Sequence, residues 1–355
     1  MQPRMNLGLA GIAIVSIGLA AYALKEHANI GDTANREPIM ALVRSEHLND
    51  VTKIRLGRGE DQVEIEMSGG AWRLPQLADY QANQTTVESW LNTLGELSIL
   101  EPRTDNPALL SELRLNDTDQ TESHGAVNIT LQSGGDVPDV DFLIGREAPE
   151  YASPGKPGFY LRLQASSQAW LAEGRLPTSL NIQEWIDPEI LRVEPGDIRS
   201  ITIADGDNVP IQVTRQGEDR FGVIEGGNII ASSIAGYDAL FGLFDPLKTI
   251  EVTPQATFAD SDPEFLLFVS LKNRLLIEIT VSAMEDQTMN WVAVRSFLAD
   301  RVGLDPYRTE ALENRADTLN EARDAWLYRL EPDAIATIAS AIASLKALNP
   351  DRASG

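Results

Sequence analysis

A chain of 355 residues with 53 acidic and 29 basic side chains carries a formal net charge of −24, and it contains no cysteine. That charge opposes binding to nucleic acid or to an anionic lipid surface, since both need a cationic stripe. The missing cysteine excludes disulfides, thiolate nucleophiles, thiolate metal sites and a lipid-modified cysteine anchor.

The first predicted element is an apolar helix. From Leu7 to Leu24 the chain has no charge, with Arg4 before the run and Lys25-Glu26-His27 after it. At 1.5 Å per residue, about 18 residues reach roughly 27 Å, close to the hydrocarbon thickness of a bilayer. Residues 1–27 read as a membrane anchor, with Leu7, Ile12, Ile14, Val15, Ile17, Leu19 and Leu24 as its apolar residues. Arg4 and the chain's amino group hold the N-terminus in the cytoplasm. The expectation is a single pass through a bacterial inner membrane with the body in the periplasm. A cleavable signal peptide is the competing reading, because Ala21-Tyr22-Ala23 has the small-x-small pattern of cleavage after Ala23. Either way the body lies outside the cytoplasm.

Residues 28–48 form a polar connector, and residues 49–195 read as a first unit. Apolar and polar residues alternate over 51–56, 63–67 and 72–74, the period of half-buried strands separated by turn residues. Val87, Trp90, Leu91, Leu94 and Leu97 then recur at helical spacing, with Thr85 or Thr86 placed to cap the helix. Strands follow at 126–132, 140–144, 159–163 and 169–171. Residues 196–349 repeat the order, with alternation over 198–203, 211–213 and 221–223. A stripe of Ile234, Tyr237, Leu240, Phe241, Phe244 and Leu247 has helical spacing, and strands follow at 265–271, 275–281 and 291–294. Residues 322–328 and 335–348 read as helices, and 350–355 as a tail. Ile54/Ile201, Trp72/Phe221 and Trp90/Tyr237 match in order. The expected fold class is α+β: an N-terminal transmembrane helix followed by two tandem, homologous units of antiparallel β-meander plus packed helices.

Chemistry-bearing motifs are sparse. His27, His47 and His124 are far apart with no paired ligand, which argues against a histidine metal centre or a serine triad. Asp205-Gly-Asp207-Asn208 resembles the start of a calcium loop, but Val209-Pro210 stand where further oxygen ligands belong. Asp260-Ser-Asp262-Pro-Glu264 reads as a loop before a strand. The pairs Gly69-Gly70, Gly134-Gly135 and Gly226-Gly227 lack the Lys-Ser/Thr of a phosphate loop and read as hairpin turns. No cofactor or metal is expected. The six tryptophans suit core packing better than a sugar- or peptide-binding cleft. The connection Ala148–Pro157 differs, because three prolines and a glycine make it stiff and projecting. Tyr151, Lys156 and Tyr160 are its candidate contact residues.

The order Ile-x-Leu meander, Trp72, amphipathic helix, Leu143-Ile-Gly145, Tyr160-Leu-Arg162 and Trp185-Ile-Asp187 resembles an uncharacterised envelope family, domain of unknown function 4340. Phe142–Ile203 carries most of the resemblance. Members of that family are often encoded beside ABC permeases and a gliding-motility-type auxiliary subunit, which implies an accessory role in transport. The family brings no catalytic residues to transfer. The expected function is a membrane-anchored, non-enzymatic accessory subunit of an ABC-type transport or envelope-assembly system. Its expected partners are the membrane and an ABC permease or auxiliary membrane protein, with no nucleic acid. The alternatives are a ligand-capture protein that binds a small molecule or glycan between the units and, more distantly, a carboxylate-based hydrolase.

Overall fold

The computed structural model describes residues 48–116, 125–134, 139–151, 157–204, 208–217, 219–255, 263–283, 290–302 and 304–348. The chain divides into two compact units, one ending at Trp185 and the next beginning at Ile186.

Among its described residues the first unit holds one antiparallel sheet. Its strands are β1 (Val51–Arg58), β2 (Asp61–Ser68), β3 (Ala71–Leu74), β4 (Tyr80–Gln81), β5 (Ser98–Thr104), β6 (Val127–Ser133), β7 (Val140–Glu147), β8 (Gly158–Leu163) and β9 (Ala169–Glu173). Their order is β4-β3-β2-β1-β6-β7-β8-β9-β5. Alternation sets the register: Ile54 faces Ile65 in β2 and Leu131 in β6, and all three are buried. The residues between them form a charged ladder, with Lys53 at 2.5 Å and Arg55 at 2.9 Å from the Glu64 carboxylate. Burial alone would raise the Glu64 pKa, but hydrogen bonds from Lys53 and Arg55 outweigh it and hold the group below its ordinary value. The ladder's contribution is present above the usual carboxylate pKa and fades as pH falls through the lowered one.

Helix α1 (Gln84–Gly95) buries Val87, Trp90, Leu91 and Leu94. Its cap is Asn83, whose side chain accepts from the Thr86 N–H, so the cap lies two to three residues before the expected Thr85 or Thr86. Gln84 completes the end of the meander. Its amide accepts from the Trp72 N–H at 3.0 Å and donates to the Trp72 and Ala82 carbonyls at 3.2 and 2.8 Å. Gln84→Leu strands the Trp72 N–H in a half-buried place and is expected to cost about 1–3 kcal/mol. Hydrogen exchange at the Trp72 amide checks this, and an unchanged rate would show the amide bridge to be dispensable.

Among its described residues the second unit also holds one antiparallel sheet. Its strands are β10 (Glu189–Leu191), β11 (Ile198–Ala204), β12 (Ile211–Arg215), β13 (Phe221–Glu225), β14 (Asn228–Ile234), β15 (Leu247–Pro254), β16 (Pro263–Leu271), β17 (Leu275–Ala283), β18 (Asn290–Leu298) and β19 (Trp326–Leu330). From the same end the order is β14-β13-β12-β11-β16-β17-β18-β19-β15-β10. Apart from β10, this is the row of the first unit, strand for strand. Irregularities recur as well: the register shifts between Val51 and Lys53 in β1, and between Ile198 and Ser200 in β11.

Among the described residues the fold is mostly antiparallel β, at 46% strand against 27% helix, which corrects the α+β expectation. The stripe at 234–247 shows why. Its residues from Tyr237 onward are buried as the period requires, yet only Asp238–Gly242 is helical (α3). Ile234 closes β14 and Leu247 opens β15, while Pro246 supplies no N–H for a helical ladder. Residues 322–328 were expected to be helical, but the helix is α4 (Pro306–Glu321), and Trp326, Tyr328 and Leu330 alternate inward along β19. Residues 335–348 are helical, within α5 (Pro332–Leu348). Among the described residues no helix is long and apolar enough to cross a membrane. The transmembrane part of the expected fold class, with Leu7, Ile12, Ile14, Val15, Ile17, Leu19 and Leu24, lies outside the described residues.

Candidate functional site: an arginine–tyrosine cluster in the first unit

After β5 the chain folds back across the sheet. Asn106 caps a short helix, α2 (Pro107–Leu110), which runs into a 3-10 turn at Ser111–Leu113. Leu110 and Leu115 join Leu143, Tyr160, Ala169 and Leu171 in a buried cluster beneath it. The approach is close because position 145 is glycine: a Cβ there would stand 2.2 Å from the Leu113 carbonyl oxygen. Arg162 is buried and fastens the same segment. Its Nε donates to the Leu115 carbonyl at 2.7 Å, and its Nη1 donates to the Leu163, Gln164 and Ser166 carbonyls. Trp185 packs edge-on against Trp90 at 6.2 Å and donates through Nε1 to the Ser179 carbonyl. Gly145, Arg162 and Trp185, three of the residues that carry the family resemblance, therefore hold the fold together.

Four side chains from separate elements meet beside this layer. The sheet order β7-β8-β9-β5 brings Arg146 of β7, Tyr160 of β8 and Arg103 of β5 to one region, and a 3-10 turn at Pro149–Tyr151 adds Tyr151. The Arg103 guanidinium carbon lies 3.9 Å from the centre of the Tyr151 ring and 5.9 Å from that of Tyr160. The guanidinium carbon of Arg146 lies 4.9 Å from the Tyr160 centre. Stacking of this kind draws a cation to the ring face. Arg146 donates to the Glu112 and Glu147 carbonyls at 3.0 and 3.2 Å. Arg103 pairs through Nη1 with Glu101 at 3.1 Å, while its Nε and Nη2 are buried without an acceptor. Gly158 closes the base of the connection, its carbonyl accepting from the Ala148 N–H at 2.7 Å. A stacked guanidinium with an unfilled fork is suited to grip the oxygens of an anionic group.

Of the residues singled out in the sequence, Tyr151 is 42% exposed and stands at the rim of the cluster. Tyr160 is 4% exposed and belongs to the core beneath it. Lys156 lies outside the described residues. Arg103 and Arg146 carried no sequence signal, because their meeting depends on β5 pairing with β9 across the row.

Elsewhere, all six tryptophans are buried. Trp90 and Trp185 line a groove of about 320 Å³ with Thr85, Thr86, Ser89 and Ser179, but both indole N–H groups are taken by carbonyls of the 177–179 segment. His27, His47, His124, Asp205, Asp207, Asp260 and Asp262 lie outside the described residues. Among the described residues there is no group of three or more histidine and acidic side chains placed to hold a metal.

Neither the curated proteins nor the solved structures compared with this chain give a match. The family model described as Domain of unknown function (DUF4340) matches residues 72–230, so over that stretch, which holds Arg103, Arg146, Tyr151 and Tyr160, the chain is similar to an uncharacterised family.

Proposed function

We propose that this protein is a non-enzymatic interaction module displayed in the periplasm and tethered to the inner membrane, where it serves as an accessory subunit of an ABC-type transport or envelope-assembly system. The observation that carries the reading is the Arg103–Tyr151 pair, a cation with two unfilled donors stacked on a half-exposed ring. Donors left unpaired cost stability that a bound partner returns. The tether is supported by the uncharged run Leu7–Leu24 with Arg4 before it, and the transport role by the family resemblance.

Photo-crosslinking tests the reading. A photoreactive amino acid in place of Tyr151, in the full chain in its native membrane, is expected to yield one adduct with a membrane-embedded transport subunit. The same substitution at Tyr307, which is 86% exposed in the second unit, is expected to yield none. Adducts only from position 307, or turnover of a substrate by the purified full-length protein, would overturn it.

A further inference from the structure

We propose that Arg103 takes a single carboxylate from the docking partner, and that lysine or arginine residues flank that carboxylate. This deepens the interaction reading above and rests on it. Nε and Nη2 lie on one side of the same guanidinium, and together they match the two oxygens of a planar carboxylate. Nη1 already holds Glu101 at 3.1 Å, so a second anion sits beside an existing negative charge. A carboxylate brings one charge there, whereas a phosphate monoester brings nearly two, and the repulsion grows with each. The Tyr151 ring lies over the guanidinium and is half-exposed on a surface turn, and the Arg103 side chain beside it is itself partly exposed, so the pair stands at the surface of the first unit. The flanking cations follow from the rest of the molecule. A chain with net charge −24 repels a purely acidic segment and attracts one whose carboxylate is framed by positive residues.

The test uses the full-length protein in detergent and two acetylated, amidated peptides, Gly-Lys-Glu-Lys-Gly and Gly-Lys-Gln-Lys-Gly, with binding read by calorimetry. The glutamate peptide is expected to bind at least about tenfold more tightly than its glutamine twin, the difference a charge-assisted fork supplies. In Arg103→Gln the ratio is expected to fall to about one, while Arg301→Gln in the second unit leaves it unchanged. The wild-type ratio needs no variant, so a misfolded Arg103→Gln would not block the test. Equal binding of the two peptides overturns the proposal, as does a ratio that survives Arg103→Gln. Inorganic phosphate that displaces the glutamate peptide at lower concentration than acetate overturns the carboxylate and points to a phosphoryl group instead. If photo-adducts at Tyr151 persist while the two peptides bind equally, the carboxylate proposal fails and the docking reading stands.

Discussion

Gly145→Val is expected to unfold the layer formed by residues 106–115 and to lower the stability of the first unit by about 3 kcal/mol or more. The first side-chain carbon would already stand 2.2 Å from the Leu113 carbonyl and 3.0 Å from the Leu115 side chain. The nearer obstacle is backbone, which has no rotamer to escape into, so strand β7 and the crossing segment must separate. Separation also withdraws the Leu115 carbonyl from Arg162, leaving a buried guanidinium donor unpaired. The control is Gly57→Val in β1, where the nearest atoms to a new Cβ are 3.7 Å away, an ordinary contact. Urea unfolding of the two variants, with hydrogen exchange read at β7 and β8, distinguishes them. Equal stability would show that the segment yields to the side chain without loss.

Trp90→Ala is expected to cost about 3–5 kcal/mol, through lost burial and the cavity that remains. The indole fills the space between α1 and the 177–185 segment. It packs edge-on against Trp185 and donates to the Pro177 carbonyl at 2.7 Å. Trp90→Phe keeps a ring and loses the donor, so about 1–2 kcal/mol is expected there. Thermal unfolding followed by near-ultraviolet dichroism measures both. A Trp90→Ala protein that melts with the wild type would place the indole outside the load of the core.

The sequence was most legible where one face of a strand is buried and the other solvated. Val51, Ile54 and Leu56 in β1, and Ile198, Ile201 and Ile203 in β11, announce both strands because a slip of one residue would turn every apolar side chain outward. Helical spacing was a weaker guide, since it reports which residues are buried and not what backbone carries them. Tyr237, Leu240, Phe241, Phe244 and Leu247 are all buried, yet only Leu240 and Phe241 lie in a helix. In α4 the case is reversed: Ala316 alone is fully buried among its described residues, so no stripe exists to be read, although Asp305-Pro306 is a recognisable helix start. The candidate site was legible only in part. Tyr151 could be picked out from the prolines around it. Its partner Arg103 lies nearly fifty residues earlier, on a strand whose neighbour is decided by topology.

That topology also fixes when the site comes into being. Strand β5 leaves the ribosome before β6, β7, β8 and β9, yet it pairs only with the last of them. The loop it must close is long, and the entropy of closing it is recovered only when β9 is in place. Until then Arg103 belongs to an unattached strand, while Arg146 and Tyr160 can already be aligned by the β7–β8 hairpin. A nascent chain therefore presents no assembled arginine–tyrosine cluster, which exists only in chains whose first unit has been completed.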